Sequence, residues 1–170
     1  MKSKTSKIGF GGGCHWCTEA VFKVIKGVVE VEQGWVSSQG DNSSFSEAVI
    51  VHFDPKKIDL DILIDIHLRS HSSTSQHSMR TKYRSAIYFF SEDQAQSAKR
   101  ILVKLQAQFD KQIITLILPF VAFRLNEEKY LNYYSKNSTN SFCSTYIDPK
   151  FRMLMKEFSR YTDIIVEEHK

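Results

Sequence analysis

Cysteine is scarce in this sequence and odd in number: Cys14, Cys17 and Cys143 are the three found in 170 residues. That count argues against a disulfide framework. No apolar run is long enough to cross a bilayer; the best candidate, residues 113–123, is too short and reads as a strand. Charge of one sign is not concentrated. Lys and Arg number 23 against 19 Asp and Glu, a formal net charge of +4, and outside the basic tail of Lys2, Lys4 and Lys7 the signs are interspersed. The tail reads as a solvated leader, and no nucleic-acid partner is expected. Internal repeats are absent. Residues 1–7 are polar where a secretory leader would be apolar. The expected setting is therefore cytoplasmic, with no membrane partner, the cysteines as thiols and any disulfide transient.

Hydrophobic residues make up 42% of the chain and aromatics 12%, enough for a packed core. The length favours one domain over 1–170, with a short basic N-terminal tail and a C-terminal helix from about residue 149. Residues 8–11 form an expected strand ending in glycines, and residues 14–25 an expected helix with Ala20, Val21, Val24 and Ile25 on one face, closed by Gly27. Residues 28–36 and 45–53 read as a hairpin, with Val29, Val31, Gln33 and Trp35 on one side of the first strand. A helix is expected over 59–69, a polar loop over 70–82 and a strand over 84–90. Ser91 and Gln94 form a capping box for a helix carrying Ala95, Ala98, Leu102, Leu105 and Phe109. Residues 113–124 read as one long strand with a bulge or edge at Pro119. A short helix over 127–134 and a Ser/Thr/Asn loop over 137–145 carrying Cys143 follow. Asp148-Pro149 then starts a helix striped with Phe151, Leu154, Met155, Phe158 and Ile165. Hairpins mixed with helices imply an α+β fold.

The sharpest feature is Gly11-Gly12-Gly13-Cys14-His15-Trp16-Cys17-Thr18-Glu19. A strand, a glycine turn and a helix start place Cys14 where unpaired backbone N–H groups and the helix dipole stabilise a thiolate. Cys17 lies one turn on, on the same face, within reach of a disulfide. Three readings of the pair stand side by side. A thioredoxin-like dithiol motif is one, although a triple glycine before the first cysteine is atypical. A zinc site with His71 and His77 is another, but a second closely spaced cysteine pair is missing. The third is a nucleophile with its resolving partner.

The Gly-Gly-Gly-Cys14-His15-Trp16-Cys17 segment resembles the Gly-Cys-Phe-Trp motif of the peptide methionine sulfoxide reductase A family. The resemblance continues in Ser46-Glu47-Ala48-Val49 with Phe53-Asp54-Pro55, in Thr81-Lys82-Tyr83-Arg84-Ser85-Ala86-Ile87, and in Tyr134-Ser135-Lys136-Asn137 with Phe142-Cys143. These pieces run in the family's order from residue 8 to about 150. The fold implied is a two-layer α+β sandwich with a mixed, mostly antiparallel sheet and flanking helices. The reaction implied is reduction of methionine S-sulfoxide, in proteins or free, to methionine, as repair of oxidative damage.

By that resemblance, Cys14 attacks the sulfoxide sulfur and Glu47 protonates the oxygen, with burial among Phe45, Ala48, Val49 and Val51 expected to keep the carboxyl protonated. Tyr83 hydrogen-bonds the oxygen, and Trp16 and His15 border the substrate methyl. The Cys14 sulfenic acid condenses with Cys17 or Cys143, and thioredoxin (dithiothreitol in vitro) reduces the disulfide without metal or organic cofactor. Three departures stand out. His15 replaces a phenylalanine, Ser78 replaces an aspartate, with His77 beside it, and the turn between Trp35 and Phe45 lacks a second substrate tyrosine. Two competing functions remain at this level: a general dithiol–disulfide oxidoreductase using Cys14 and Cys17, and a non-catalytic relic of the fold.

Overall fold

The computed structural model describes residues 5–76, 80 and 82–163. His77, Ser78, Ile165 and the lysines of the extreme N-terminus lie outside them. The sheet has six strands in the order β5-β4-β1-β3-β2-β6. In chain order these are β1 Ser6–Gly11, β2 Val28–Ser37, β3 Ser46–Phe53, β4 Ala86–Phe89, β5 Leu116–Pro119 and β6 Ala122–Leu125. Every pairing is antiparallel except β4 with β5. The helices are α1 His15–Lys23, α2 Leu60–Ser70, α3 Glu92–Gln106, α4 Tyr133–Asn137 and α5 Asp148–Glu157.

Alternation explains the two faces. From β3, Val49, Val51 and Phe53 join Ile8, Phe10 and Val31 under the helices, which contribute Val21, Phe22, Leu63, Ile66, Ala98 and Leu154. Full burial of one such side chain contributes about 1.5–3 kcal/mol. The opposite face carries Val36, Ala48, Ile50, Ala86 and Tyr88, packed together with Phe90, Phe120 and Phe123 around them. Arg84 is buried at its end, donating to Tyr88 Oη at 3.1 Å and to the carbonyls of Val36 and Ser44. The 28–36 strand holds its expected inward side at Val31 and Gln33, but Val29 is 65% exposed, because the register with β3 shifts between Val28 and Glu30.

α3 is capped as expected. Ser91 Oγ accepts from Gln94 N–H at 3.2 Å, and the Gln94 side chain accepts from Phe90 N–H at 2.9 Å. The helix ends at Gln106, so Phe109 packs on the core from the turn beyond it.

The expected single strand over 113–124 is two strands on opposite edges of the sheet. Pro119 ends β5, and after two linking residues β6 begins at Ala122. Phe120 N–H donates to Phe89 O, and Val121 N–H to Ser37 O. The sheet curls until its edges meet across this dipeptide. A further correction concerns Cys143. In place of a loop over 137–145, residues Cys143–Ile147 form a π-helical turn continuous with α5, and Cys143 is fully buried. The single helix expected over 127–134 is a 3₁₀ turn at Glu128–Tyr130 followed by α4. No described helix is long and apolar enough to cross a membrane.

Candidate active site

β1 runs into Gly12, whose φ of +154° and close contact with the His71 ring admit no side chain: a Cβ there would lie 2.4 Å from His71 Cδ2. The chain turns and α1 begins, with Cys14 at its N-cap as the glycine pattern implied. The Cys14 carbonyl accepts from the N–H groups of Cys17 and Thr18 at 3.1 and 3.2 Å. Its sulfur is held below the ordinary thiol range, first by a hydrogen bond from the Cys17 thiol and then by the backbone N–H groups of Trp16 and Cys17; burial and the Glu47 charge oppose this. Donating that bond, together with burial, drives the Cys17 thiol strongly upward. Cys14 is thus the more acidic thiol of the pair.

A cleft of about 810 Å³ opens beside the two sulfurs, bordered by Cys14, Cys17, His71, Tyr83, Phe142 and Lys150. Lys150 is half-buried and donates to the Ser70 carbonyl. Burial pulls its ammonium below the lysine range, while the negative charges available at Cys17 and Cys14 act in the other direction. Tyr83 is half-buried on the cleft wall with the Lys82 ammonium 5.0 Å above its ring. His71 is engaged by Ser85 Oγ at 2.7 Å. Cys14 and Cys17 are free thiols, and among the described residues no group of three His, Cys, Asp or Glu is arranged to hold a metal.

Glu47 lies near the start of β3 opposite Trp35, 6% exposed, on the helix-covered face. Its Oε1 is 3.4 Å from the His15 backbone nitrogen and 3.2 Å from His15 Nε2, and its Oε2 is 3.7 Å from Lys82 Nζ. His15 is 4% exposed and is not among the residues bordering the cleft; Nδ1 meets the Gly34 carbonyl at 2.7 Å. Trp16 stacks on Tyr133 at 4.1 Å between ring centres and on Tyr130 at 5.5 Å, with Phe142 edge-on. Its indole N–H has no partner among the described residues. The fully buried Cys143 packs in the same core as Cys17, and burial with the neighbouring Asp148 raises its thiol.

Sequence reasoning missed four supporting residues. Glu19, quoted in the motif without a role, is buried and accepts from the N–H groups of Asn132 and Tyr133, which holds α4 against α1. Gln33 and Asn126 lie behind His15, and Lys150 reaches the cleft from α5. A buried carboxylate within a motif was a usable signal; Asn126 had none, because it comes close only through the pairing of β6 with β2.

Comparison with known proteins agrees with this arrangement. A family described as peptide methionine sulfoxide reductase matches residues 6–162. The peptide methionine sulfoxide reductase MsrA of Erwinia tasmaniensis is 34% identical over 166 residues, covering 89% of this chain and 93% of that protein. Among solved structures, Mxr1 from Saccharomyces cerevisiae in reduced form superposes with a TM-score of 0.74 at 26% identity, over 86% of this chain and 93% of its own. Mxr1 in complex with Trx2 gives 0.62 at 25% identity, over 76% and 86%. With Cys14 at the start of α1 and the family matched along nearly the whole chain, the protein belongs to the peptide methionine sulfoxide reductase family.

Proposed function

We propose that Cys14 reduces methionine S-sulfoxide by direct attack, with Glu47 as the acid, Tyr83 on the sulfoxide oxygen and Cys17 as the first resolving thiol. The observation that carries this reading is the placing of Cys14 at the N-terminus of α1 with Cys17 one turn on, both bordering the cleft. The thiolate attacks the sulfoxide sulfur as a proton arrives on its oxygen; the oxygen passes to Cys14, which becomes a sulfenic acid, and methionine leaves as its S–O bond breaks. The Cys17 sulfur then attacks the Cys14 sulfur and water departs, leaving a disulfide. Cys143 lies buried in the same core as Cys17, within the π-helical turn, as a candidate second thiol for that bond. Thioredoxin is the fitting reductant, as the Mxr1–Trx2 complex suggests by analogy. A reducing compartment such as the cytoplasm suits three free thiols. The substrate's apolar surroundings are assigned to Phe142, which borders the cleft, and to Trp16 packed edge-on against it.

The test is incubation with separated S and R sulfoxides and dithiothreitol. Turnover of the S epimer alone is expected, and Cys14→Ser should abolish it, because a hydroxyl supplies no thiolate at neutral pH. Dithiol exchange without sulfoxide turnover would instead favour the general oxidoreductase.

A further inference from the structure

The cleft beside the two sulfurs is charged in one sense. Among the described residues that border it, Arg69 and Lys150 carry positive charge, and there is no Asp or Glu. His71 adds nothing, because burial holds its imidazole well below the ordinary value and leaves the ring neutral. Arg69 is already balanced: its Nε donates to Asp65 Oδ1 at 2.7 Å, and its guanidinium also reaches Gln108. Lys150 is not. It is in no ion pair among the described residues, and its hydrogen bond there goes to the carbonyl of Ser70, the last residue of α2. That carbonyl has no partner inside the helix, so it anchors the ammonium against the cleft wall. The ammonium has further N–H donors, and these are open to a ligand. It also lies within electrostatic reach of both sulfurs.

A half-buried cation has given up part of its hydration, and an anion that meets it there is held more strongly than at an open surface. The substrate class follows from which anion can reach it while a sulfoxide sits at Cys14. A methionine sulfoxide in the interior of a peptide brings neutral amides. As the free amino acid, or at the end of a chain, it brings a carboxylate a few bonds from its sulfur. Beside Asp or Glu it brings one on the neighbouring side chain. We propose that Lys150 binds a substrate carboxylate, so that the cleft selects methionine sulfoxide presented with a carboxylate over the same group flanked by neutral amides. The inference rests on Cys14 being the nucleophile of sulfoxide reduction. At about 810 Å³ the cleft accommodates a ligand of this kind. Arg69 does not take the role, because Asp65 already claims its charge.

The experiment uses two matched pairs of S-sulfoxides. The first is N-acetylmethionine sulfoxide, which keeps its carboxylate, and its methylamide, which does not. The second is that methylamide extended by Asp or by Asn next to the methionine. Saturation kinetics with dithiothreitol are measured on the unsubstituted protein, Lys150→Gln and Lys150→Arg. In the unsubstituted protein kcat/KM should favour the carboxylate in at least one pair by about tenfold or more, carried by KM. A preference in the first pair assigns the carboxylate to the main chain, and one in the second assigns it to a neighbouring side chain. Lys150→Gln should bring that ratio close to one, and Lys150→Arg, which keeps the charge, should restore most of it. Equal kcat/KM within both pairs overturns the proposal without any variant having to fold. A preference that survives Lys150→Gln also overturns it, because another group then holds the carboxylate. Equilibrium titration with the reduced, unreactive forms of the same pairs requires no catalysis. Tighter binding of a carboxylate form that Lys150→Gln removes supports the proposal even where no sulfoxide is turned over, and the reductase reading alone has then failed. Equal binding within both pairs overturns the proposal.

Discussion

At the scale of single residues, the chemistry depends on two thiols one helical turn apart being unlike each other. Cys14 gains the hydrogen bond from Cys17 and backbone N–H groups, whereas Cys17 loses acidity by donating and by burial. Once Cys14 is a sulfenic acid it no longer draws on the Cys17 proton, and the nearby Lys150 ammonium favours a thiolate at Cys17. Cys17→Ser should therefore still release one equivalent of methionine per enzyme, because the first attack needs only Cys14. Continuous turnover should fall steeply, because the resolving thiol must then be supplied from solution. Peptide mapping after one turnover of the unsubstituted enzyme should find Cys14 joined to Cys17. A Cys14–Cys143 bond with Cys17 free from the earliest time point would rule out this order.

At the scale of elements, the close passage of β6 over β2 is the vulnerable joint. A Cβ on Gly34 would lie 1.9 Å from the Arg124 carbonyl oxygen, so Gly34→Ala must push β6 away. Overpacking of this kind costs about 1–3 kcal/mol. Because Asn126 follows β6 directly and donates to Gln33 O at 3.0 Å, the same displacement removes the group that orients His15. A lower denaturant midpoint together with a loss of activity beyond that explained by unfolding is the expected result. Native-like activity in the folded variant would show that β6 does not support the site. The same joint explains a limit of sequence reading. Residues 113–124 carry one continuous apolar stretch, and Pro119 announces an edge, but one edge is indistinguishable from two when the second is met two residues later by curling of the sheet. Local signals served better where the partners are local: Ser91 and Gln94 cap α3 as their spacing predicted.

At the scale of the whole molecule, buried histidines tie stability to pH. His67 is fully buried between β1 and the helices, Nε2 donating to Gly11 O at 2.7 Å, and burial holds its protonation down to about 3. In the unfolded chain it titrates near 6.5. Between those values the unfolded state binds more protons, so stability is fully present above about 6.5 and falls as the pH drops toward 3. From pH 6.5 to 5 His67 alone accounts for about 2 kcal/mol, at about 1.4 kcal/mol per pH unit. Denaturant titrations at pH 7 and pH 5 should show this loss, and His67→Gln should show a smaller drop between the same two pH values. An equal drop in both proteins would place the acid sensitivity elsewhere.

The sequence by itself determined the elements whose causes lie within a few residues: the glycine turn into α1, the hairpin of β2 and β3, the capped α3, and with them the placing of Cys14 at a helix start. It also carried the family, because Cys14, Glu47 and Tyr83 sit in motifs that can be compared residue by residue. Tertiary structure decided what depends on distant segments meeting. His15 is turned from an expected wall of the methyl pocket into the neighbour of Glu47, because Gly34 from β2 and Asn126 from beyond β6 claim its ring nitrogens. Cys143 is turned from a loop thiol into a core residue, because the chain before α5 stays helical and packs on α1. The physical reason is common to both cases. Hydrogen-bond sense and burial belong to pairs of groups, and those pairs, here some 19 and 111 residues apart in the chain, exist only once the sheet has curled.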